Sequence, residues 1–199
     1  MLLDAVVLTI VVSLLASGRL GRLKEIELRG VAVFVLAALV RVALDVLGAK
    51  GWLAIRAVGP WLSIAAYVAL LIALWLNRHL WPLRVVALGV LLNFLVIAAN
   101  HGSMPVDRNL ATRLCGHRLV QLLDSPDYIV HKPIAATTRL KPLADLLPLP
   151  LLYPRPEWFS PGSVGDILIT LGACAMLITG LGAFGLSRRA PVGPTRNSA

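Results

Sequence analysis

Apolar residues fall in five long blocks along this chain, at 2–17, 30–47, 58–76, 85–100 and 164–186, with charged and turn-forming residues gathered between them. Inside the blocks the apolar positions are continuous, which excludes the alternation of a membrane β-barrel strand. A hydrocarbon layer about 30 Å thick takes roughly 20 helical residues to cross. Lipid offers no partner to an open backbone, so such blocks are predicted to be helices. The first block is short. Its start carries Asp4 in place of the Lys or Arg of a secretion signal, so it reads as a retained span. The expectation is an all-α membrane protein, a bundle of about five transmembrane helices in one domain over residues 1–186. A disordered Pro/Gly/Ser tail follows at 187–199.

The connectors differ in kind. Residues 18–29 are basic, with Arg19, Arg22, Lys24 and Arg29 against Glu25 and Glu27. Gly48, Lys50, Gly51 and Arg56 predict a turn, and Asn77–Arg84 a short connector holding Arg78, His79, Trp81 and Pro82. Pro60 is expected near the first turn of its span, where a missing N–H is harmless. The loop 101–163 has its own pattern. Asp107 is placed to cap a helix carrying Leu110, Leu114, Leu119, Leu122 and Leu123 among Arg113, His117 and Arg118. That suggests a basic helix lying on the membrane surface, broken at Asp124-Ser125-Pro126-Asp127. Beyond it, Pro142, Pro148 and Pro150 rule out a regular helix. This stretch is expected to fold back on the bundle, with Tyr153, Trp158 and Phe159 at the lipid–water boundary.

Composition agrees with a lipid environment. Hydrophobic residues make up 58% of the 199 residues and charged ones 15%, whereas a soluble domain is about half apolar and about a quarter charged. The net charge of +9 is spread between the blocks without a nucleic-acid recognition motif, so nucleic acid is not an expected partner. The spread also predicts orientation. With the N-terminus outside, segments 18–29, 77–84 and 187–199 face the cytoplasm and hold nine Lys and Arg, against two in the short outside loop 48–57. The protein is therefore placed in the inner (cytoplasmic) membrane, with its C-terminus cytoplasmic and loop 101–163 outside.

Candidate chemistry is sparse. Arg41 and Asp45 are the charges deep in a span, four residues apart on one face, where a mutual ion pair competes with a polar site. Asn93 and Asn100 share a face of the fourth span and suit interhelical hydrogen bonding or the lining of a site. At the outer surface Asp107, Asp145 and Asp166 are candidate carboxylates. Two that share a proton could activate water against a peptide bond. The plainer alternative is that Ser163 or Asp166 caps the last helix. Gly162-Ser163-Val164-Gly165-Asp166 precedes a helix and could hold an anion, but lacks the lysine and strand of a phosphate loop. Gly172, Gly180, Gly182 and Gly185 suit close helix contact. His101, His117 and His131 match no metal spacing, Cys115 and Cys174 form no metal motif, and no cofactor is implied.

Three segments carry a resemblance. They are Asn93-Phe94-Leu95-Val96-Ile97-Ala98-Ala99-Asn100-His101-Gly102-Ser103-Met104-Pro105-Val106, Thr138-Arg139-Leu140-Lys141-Pro142-Leu143-Ala144-Asp145-Leu146-Leu147-Pro148-Leu149-Pro150, and Ser163-Val164-Gly165-Asp166 through Gly172. With Leu28-Arg29-Gly30, they resemble a bacterial domain-of-unknown-function family, number 5317, of small multi-span membrane proteins. His101 and Ala144 stand where that family's pattern leads one to expect glycine, which would loosen two turns. The resemblance implies a membrane bundle and no activity. It marks Asn100, Gly102, Met104, Pro105, Gly165 and Asp166 as an outer-face motif. A second, partial likeness is to lipoprotein signal peptidases, through Gly165-Asp166 with Ile169 and Gly172. It implies Asp166 as one catalytic carboxylate and Asp107 or Asp145 as the other. Their Gly-Asn-x-x-Asp-Arg motif is missing, with only Asp107-Arg108 echoing it. The expected role is a non-enzymatic binding or assembly subunit whose outer loop meets another membrane protein or a small ligand, with an aspartyl hydrolase as the alternative.

Overall fold

The computed structural model describes residues 27–50, 53–125, 128–150 and 159–181. The block at 2–17, the tail, Tyr153, Trp158, Gly182 and Gly185 lie outside these residues. The chain is mostly helical. Three helices are long and apolar enough to cross a membrane: α1 (Val31–Ala49), α2 (Leu53–Leu76) and α3 (Trp81–Ala99). A shorter apolar helix is α5 (Val164–Leu181), and α4 (Arg108–Asp124) lies in the segment joining α3 to α5.

Two helices begin earlier than hydropathy alone indicates. The four residues Trp81 to Arg84 belong to α3 and not to a connector, because Pro82 sits in the first turn, where its locked φ favours helix and its missing N–H leaves nothing unpaired. Arg56 likewise falls inside α2, which starts at Leu53, so Pro60 lies in the helix interior and not in the first turn. A proline there removes one backbone bond. Gly102 packs directly on this point: a Cβ at Gly102 would lie 2.6 Å from Pro60 Cα.

The bundle centre is Leu74, Leu83 and Val90, with Phe34, Tyr67, Ile169 and Met176 packed around them. Outward, Val35, Leu39, Trp61, Ile72, Trp75 and Leu88 are exposed, the apolar surface that lipid would cover. α3 and α5 cross at backbone distance. A Cβ on Gly89 would stand 2.5 Å from the Gly165 carbonyl oxygen, and one on Gly172 would stand 2.8 Å from that of Pro82.

The segment between α3 and α5 departs from an all-α expectation. Strand β1 (Met104–Val106) pairs in parallel with β2 (His131–Pro133), and a bridge joins Val106 to Asp145 on its other side. A 3₁₀ turn spans Lys141–Leu143. Strand β3 (Leu147–Pro150) then pairs antiparallel with β4 (Phe159–Gly162). Three prolines are tolerated in that pair because all fall on alternate rungs, Pro148 opposite Pro161 and Pro150 opposite Phe159. The rungs through Leu147, Leu149, Ser160 and Gly162 remain able to carry the ladder bonds.

Helix α4 is capped by Asp107, whose side chain accepts from Leu110 N–H at 2.7 Å, and it ends at Asp124 as the breaker residues predict. It is not straight. Arg108 and Asp124 form an ion pair at 2.7 Å, whereas a straight helix of that length would hold its ends about 24 Å apart. The helix is therefore bent. Its Ala111 and Leu123 are buried against Leu44 of α1 with Val106 and Ile129. Part of the apolar face expected to meet the membrane surface meets protein.

Candidate functional site

Polar residues gather where the end of the bundle meets this segment. Asn93 on α3 is almost fully buried. Its amide nitrogen donates to Asp166 Oδ1 at 2.9 Å, and its oxygen is 2.9 Å from Ser163 Oγ. Ser163 and Asp166 form a capping box at the start of α5. Ser163 Oγ accepts from Asp166 N–H at 3.1 Å, and Asp166 Oδ2 accepts from Ser163 N–H at 2.9 Å. The Ser163 hydroxyl has one proton, so it donates either to Asp166 Oδ2 or to Asn93. Gly165 matters for this contact, since a Cβ there would collide with the Asn93 side chain.

Asp145 lies beside this cluster, 5% exposed, and its Oδ1 is buried without a hydrogen-bond partner among the described residues. Its backbone ties the segment together, as its N–H donates to the Pro105 carbonyl and its carbonyl accepts from Asp107 N–H. Burial pushes its carboxyl up to about 8, the charge of Asp166 pushes the same way, and Arg41 opposes both. The acid therefore keeps its proton at neutral pH, which lowers the cost of the unpaired oxygen. His131 Nε2 stands 3.8 Å from Asp145 Oδ2, and Tyr128 Oη is 3.1 Å from His131 Nδ1. Burial, aided by Arg41, lowers His131 to about 4. At neutral pH this Asp–His contact joins two neutral groups and is too long for a hydrogen bond.

Arg41 looks across to α2. Its Nη1 donates to Ser63 Oγ at 3.2 Å, and its guanidinium lies 5.6 Å from the Tyr67 ring centroid. The Asp45 side chain lies outside the described residues. The three candidate carboxylates have separate settings. Asp107 caps α4, Asp166 closes the capping box of α5 and holds Asn93, and Asp145 is buried near enough to feel the charge of Asp166. Sequence reasoning overlooked Ser63 and Tyr67. Their signal was present: two polar residues four apart in an apolar block, on one helix face.

Asn100 holds the other side of the segment. Its Oδ1 accepts from Arg139 N–H, and its Nδ2 donates to the carbonyls of Arg139 and Val96, all within 2.9 Å. His101 and Gly102 then turn through positive φ, 57° and 84°. His101 thus adopts the conformation glycine takes most readily, whereas Ala144 has φ −70° and needs no glycine. Met104 is buried on Val96 and Ile97. Between this turn and the Lys132–Arg139 stretch lies a cleft of about 350 Å³, lined by His101, Ser103, Lys132, Thr137, Thr138 and Arg139 among others. No group of three or more His, Cys, Asp or Glu that could hold a metal occurs among the described residues.

The residues that fix this junction, from Asn93 to Pro105, Arg139 to Asp145 and Ser163 to Gly172, are those of the three resembling segments. The family model for DUF5317, a family of unknown function, matches residues 25–178. The chain belongs to this family. Membership takes in α1, α2, α3, the whole joining segment and most of α5, so the polar junction and the cleft both fall within the DUF5317 region. No curated protein and no solved structure matches the chain.

Proposed function

We propose that this chain is a non-enzymatic binding or assembly subunit of the bacterial inner membrane, with the segment between α3 and α5 as its binding element on the outer face. In this reading the block at 2–17 is the first of five spans, the N-terminus lies outside, and the 187–199 tail is cytoplasmic. The observation that carries it is how firmly the segment is fixed. Asn100 pins Arg139, β1 is flanked by His131–Pro133 and Asp145, β3 pairs with β4, and Gly102 rests on Pro60. A connector needs none of these ties, whereas a surface that must recognise something needs its shape held. The carboxylates favour the non-enzymatic half, since Asp107 and Asp166 both work as helix caps.

Extraction of the full-length chain from its native membranes in a mild neutral detergent, followed by native mass spectrometry, tests the reading. A second subunit or a small-molecule adduct is expected on the parent chain and lost from Asn100→Ala, which unpins Arg139. A lone chain without adduct would sink the proposal. In the same host, Asp166→Asn at unchanged protein level is expected to leave the set of processed exported proteins as it was. Loss of one processing event would put the aspartyl hydrolase in its place.

A further inference from the structure

The geometry points to the cleft between the His101 turn and the Lys132–Arg139 stretch as a site for a phosphate ester, an organic phosphate whose anionic group meets Lys132 and Arg139. This inference rests on the joining segment being a binding element, and adds the class of ligand. Cation and hydroxyl donors line the cleft, and no carboxylate is among its lining residues. Lys132 is held in place because its ammonium donates to the Ser125 carbonyl at 3.0 Å. Arg139 is fixed by its backbone alone. Asn100 takes both its N–H and its carbonyl, while its exposed side chain has no hydrogen bond or ion pair among the described residues. A guanidinium offers a planar fork of donors suited to two phosphate oxygens.

The hydroxyls complete the set. Thr138 Oγ1 accepts from Ala135 N–H at 2.9 Å, which leaves its proton to donate, and Thr137 is exposed beside it. The volume, about 350 Å³, lies at the lower end of small-molecule sites. It exceeds what bare phosphate fills and suits a phosphate with a small organic group. The cleft opens where α3 ends at Asn100, the level of lipid headgroups in the proposed topology. A phospholipid headgroup and a soluble phosphate ester share this chemistry.

The test uses the full-length chain in a neutral detergent, titrated by intrinsic tryptophan fluorescence with glycerol 3-phosphate, and with glycerol as the uncharged control. In parallel, the chain is reconstituted in vesicles of phosphatidylcholine alone or with one fifth phosphatidylglycerol, and lipid retained after detergent exchange is measured by mass spectrometry. Saturable binding of glycerol 3-phosphate identifies a soluble ester as the source. Selective retention of phosphatidylglycerol without it identifies a headgroup. Either supports the site if Arg139→Gln weakens it at least tenfold while Arg113→Gln, on exposed α4 surface, does not. Arg139→Gln keeps the backbone contacts with Asn100, and His101→Gly removes a second lining side chain without straining the turn. Absence of both signals, or binding equally strong in Arg139→Gln, overturns the assignment. If native mass spectrometry still finds an Asn100-dependent partner or adduct, the phosphate assignment alone has failed. If that also is missing, the binding reading has failed with it.

Discussion

Asn77 and Asn100 stand one residue beyond the ends of α2 and α3, and each pins an arginine backbone from elsewhere in the chain. Asn77 Oδ1 accepts from Arg29 N–H, while its Nδ2 donates to the carbonyls of Arg29 and, four residues back, Ala73. Asn100 repeats all three bonds with Arg139 and Val96. In both cases the residue after the arginine is left-handed, Gly30 at φ 68° and Leu140 at φ 53°, and a helical turn follows. A side-chain amide matches one peptide unit in donor and acceptor, so it can replace the strand neighbour that an isolated stretch lacks. The two devices sit at opposite ends of α3. Titration at this scale has a definite sign. Asp145 is raised from 3.8 to about 8, so the folded state keeps a proton that the unfolded state loses, and stability falls as pH rises across that window. His131 is lowered from 6.5 to about 4, so its contribution rises with pH over its own window. The two oppose one another below 6.5. Above it Asp145 acts alone, and His131, with 29% of its side chain exposed, is the weaker influence throughout. The thermal unfolding midpoint is therefore expected to fall between pH 6.5 and 8, and Asp145→Asn is expected to flatten that fall. A parent midpoint constant over this range would contradict the buried, protonated Asp145.

At the scale of elements, the crossing of α3 and α5 is the contact that brings Asn93 to Ser163 and Asp166. Small residues let membrane helices approach at backbone distance, and Gly89 and Gly165 face each other there. A Cβ on Gly165 would lie 2.7 Å from the Gly89 carbonyl, and one on Gly89 would lie 2.5 Å from that of Gly165. Gly89→Ala and Gly165→Ala are each expected to destabilise by about 1–3 kcal/mol, the usual cost of forcing an extra carbon into packed space. The double variant should lose less than the two losses added, because one methyl already separates the helices enough for the second. Equilibrium unfolding in detergent reads both quantities, and strict additivity would mean that the two glycines do not share one crossing. The apolar blocks made α1, α2, α3 and α5 legible in the sequence, because hydrocarbon leaves the backbone no alternative to helix. Their ends were less legible, since Arg56 and Pro82 look like connector residues to hydropathy and are helix starters to the backbone. β1 and β2 were not legible at all. Three-residue strands carry no alternation, and Met104–Val106 pairs with residues about 27 positions away whose neighbourhood is set by long-range packing. Asn77 was hidden for the same reason, as its partner Arg29 is 48 residues distant.

Whole-molecule topology ties these scales together. α1, α2, α3 and α5 alternate in direction if each crosses the bilayer, which puts Arg29 and Asn77 at one face and Asn100, Gly102, Pro60 and the start of α5 at the other. The packing agrees with that division, since Gly102 touches Pro60 near the start of α2, and α4 buries Leu123 on Leu44 toward the end of α1. Each contact holds together parts that the alternation places on the same side. Charge supports the proposed assignment of the two sides. Arg29 and Arg78, with Arg84 in the first turn of α3, lie at the face that holds Asn77, Arg19, Arg22 and Lys24 precede them in the sequence, and basic segments beside spans favour the cytoplasm. In the proposed orientation the cleft with Lys132 and Arg139 faces outward despite its own positive charge, because a long loop is translocated largely regardless of charge. In a variant with Cys115 and Cys174 replaced by serine, Arg139→Cys is expected to react with a membrane-impermeant maleimide on intact spheroplasts. Ser187→Cys is expected to react only after the membrane is opened. Labelling of both before opening would place tail and cleft on one side. That result would require an even number of crossings between them, where the proposed topology has one, α5.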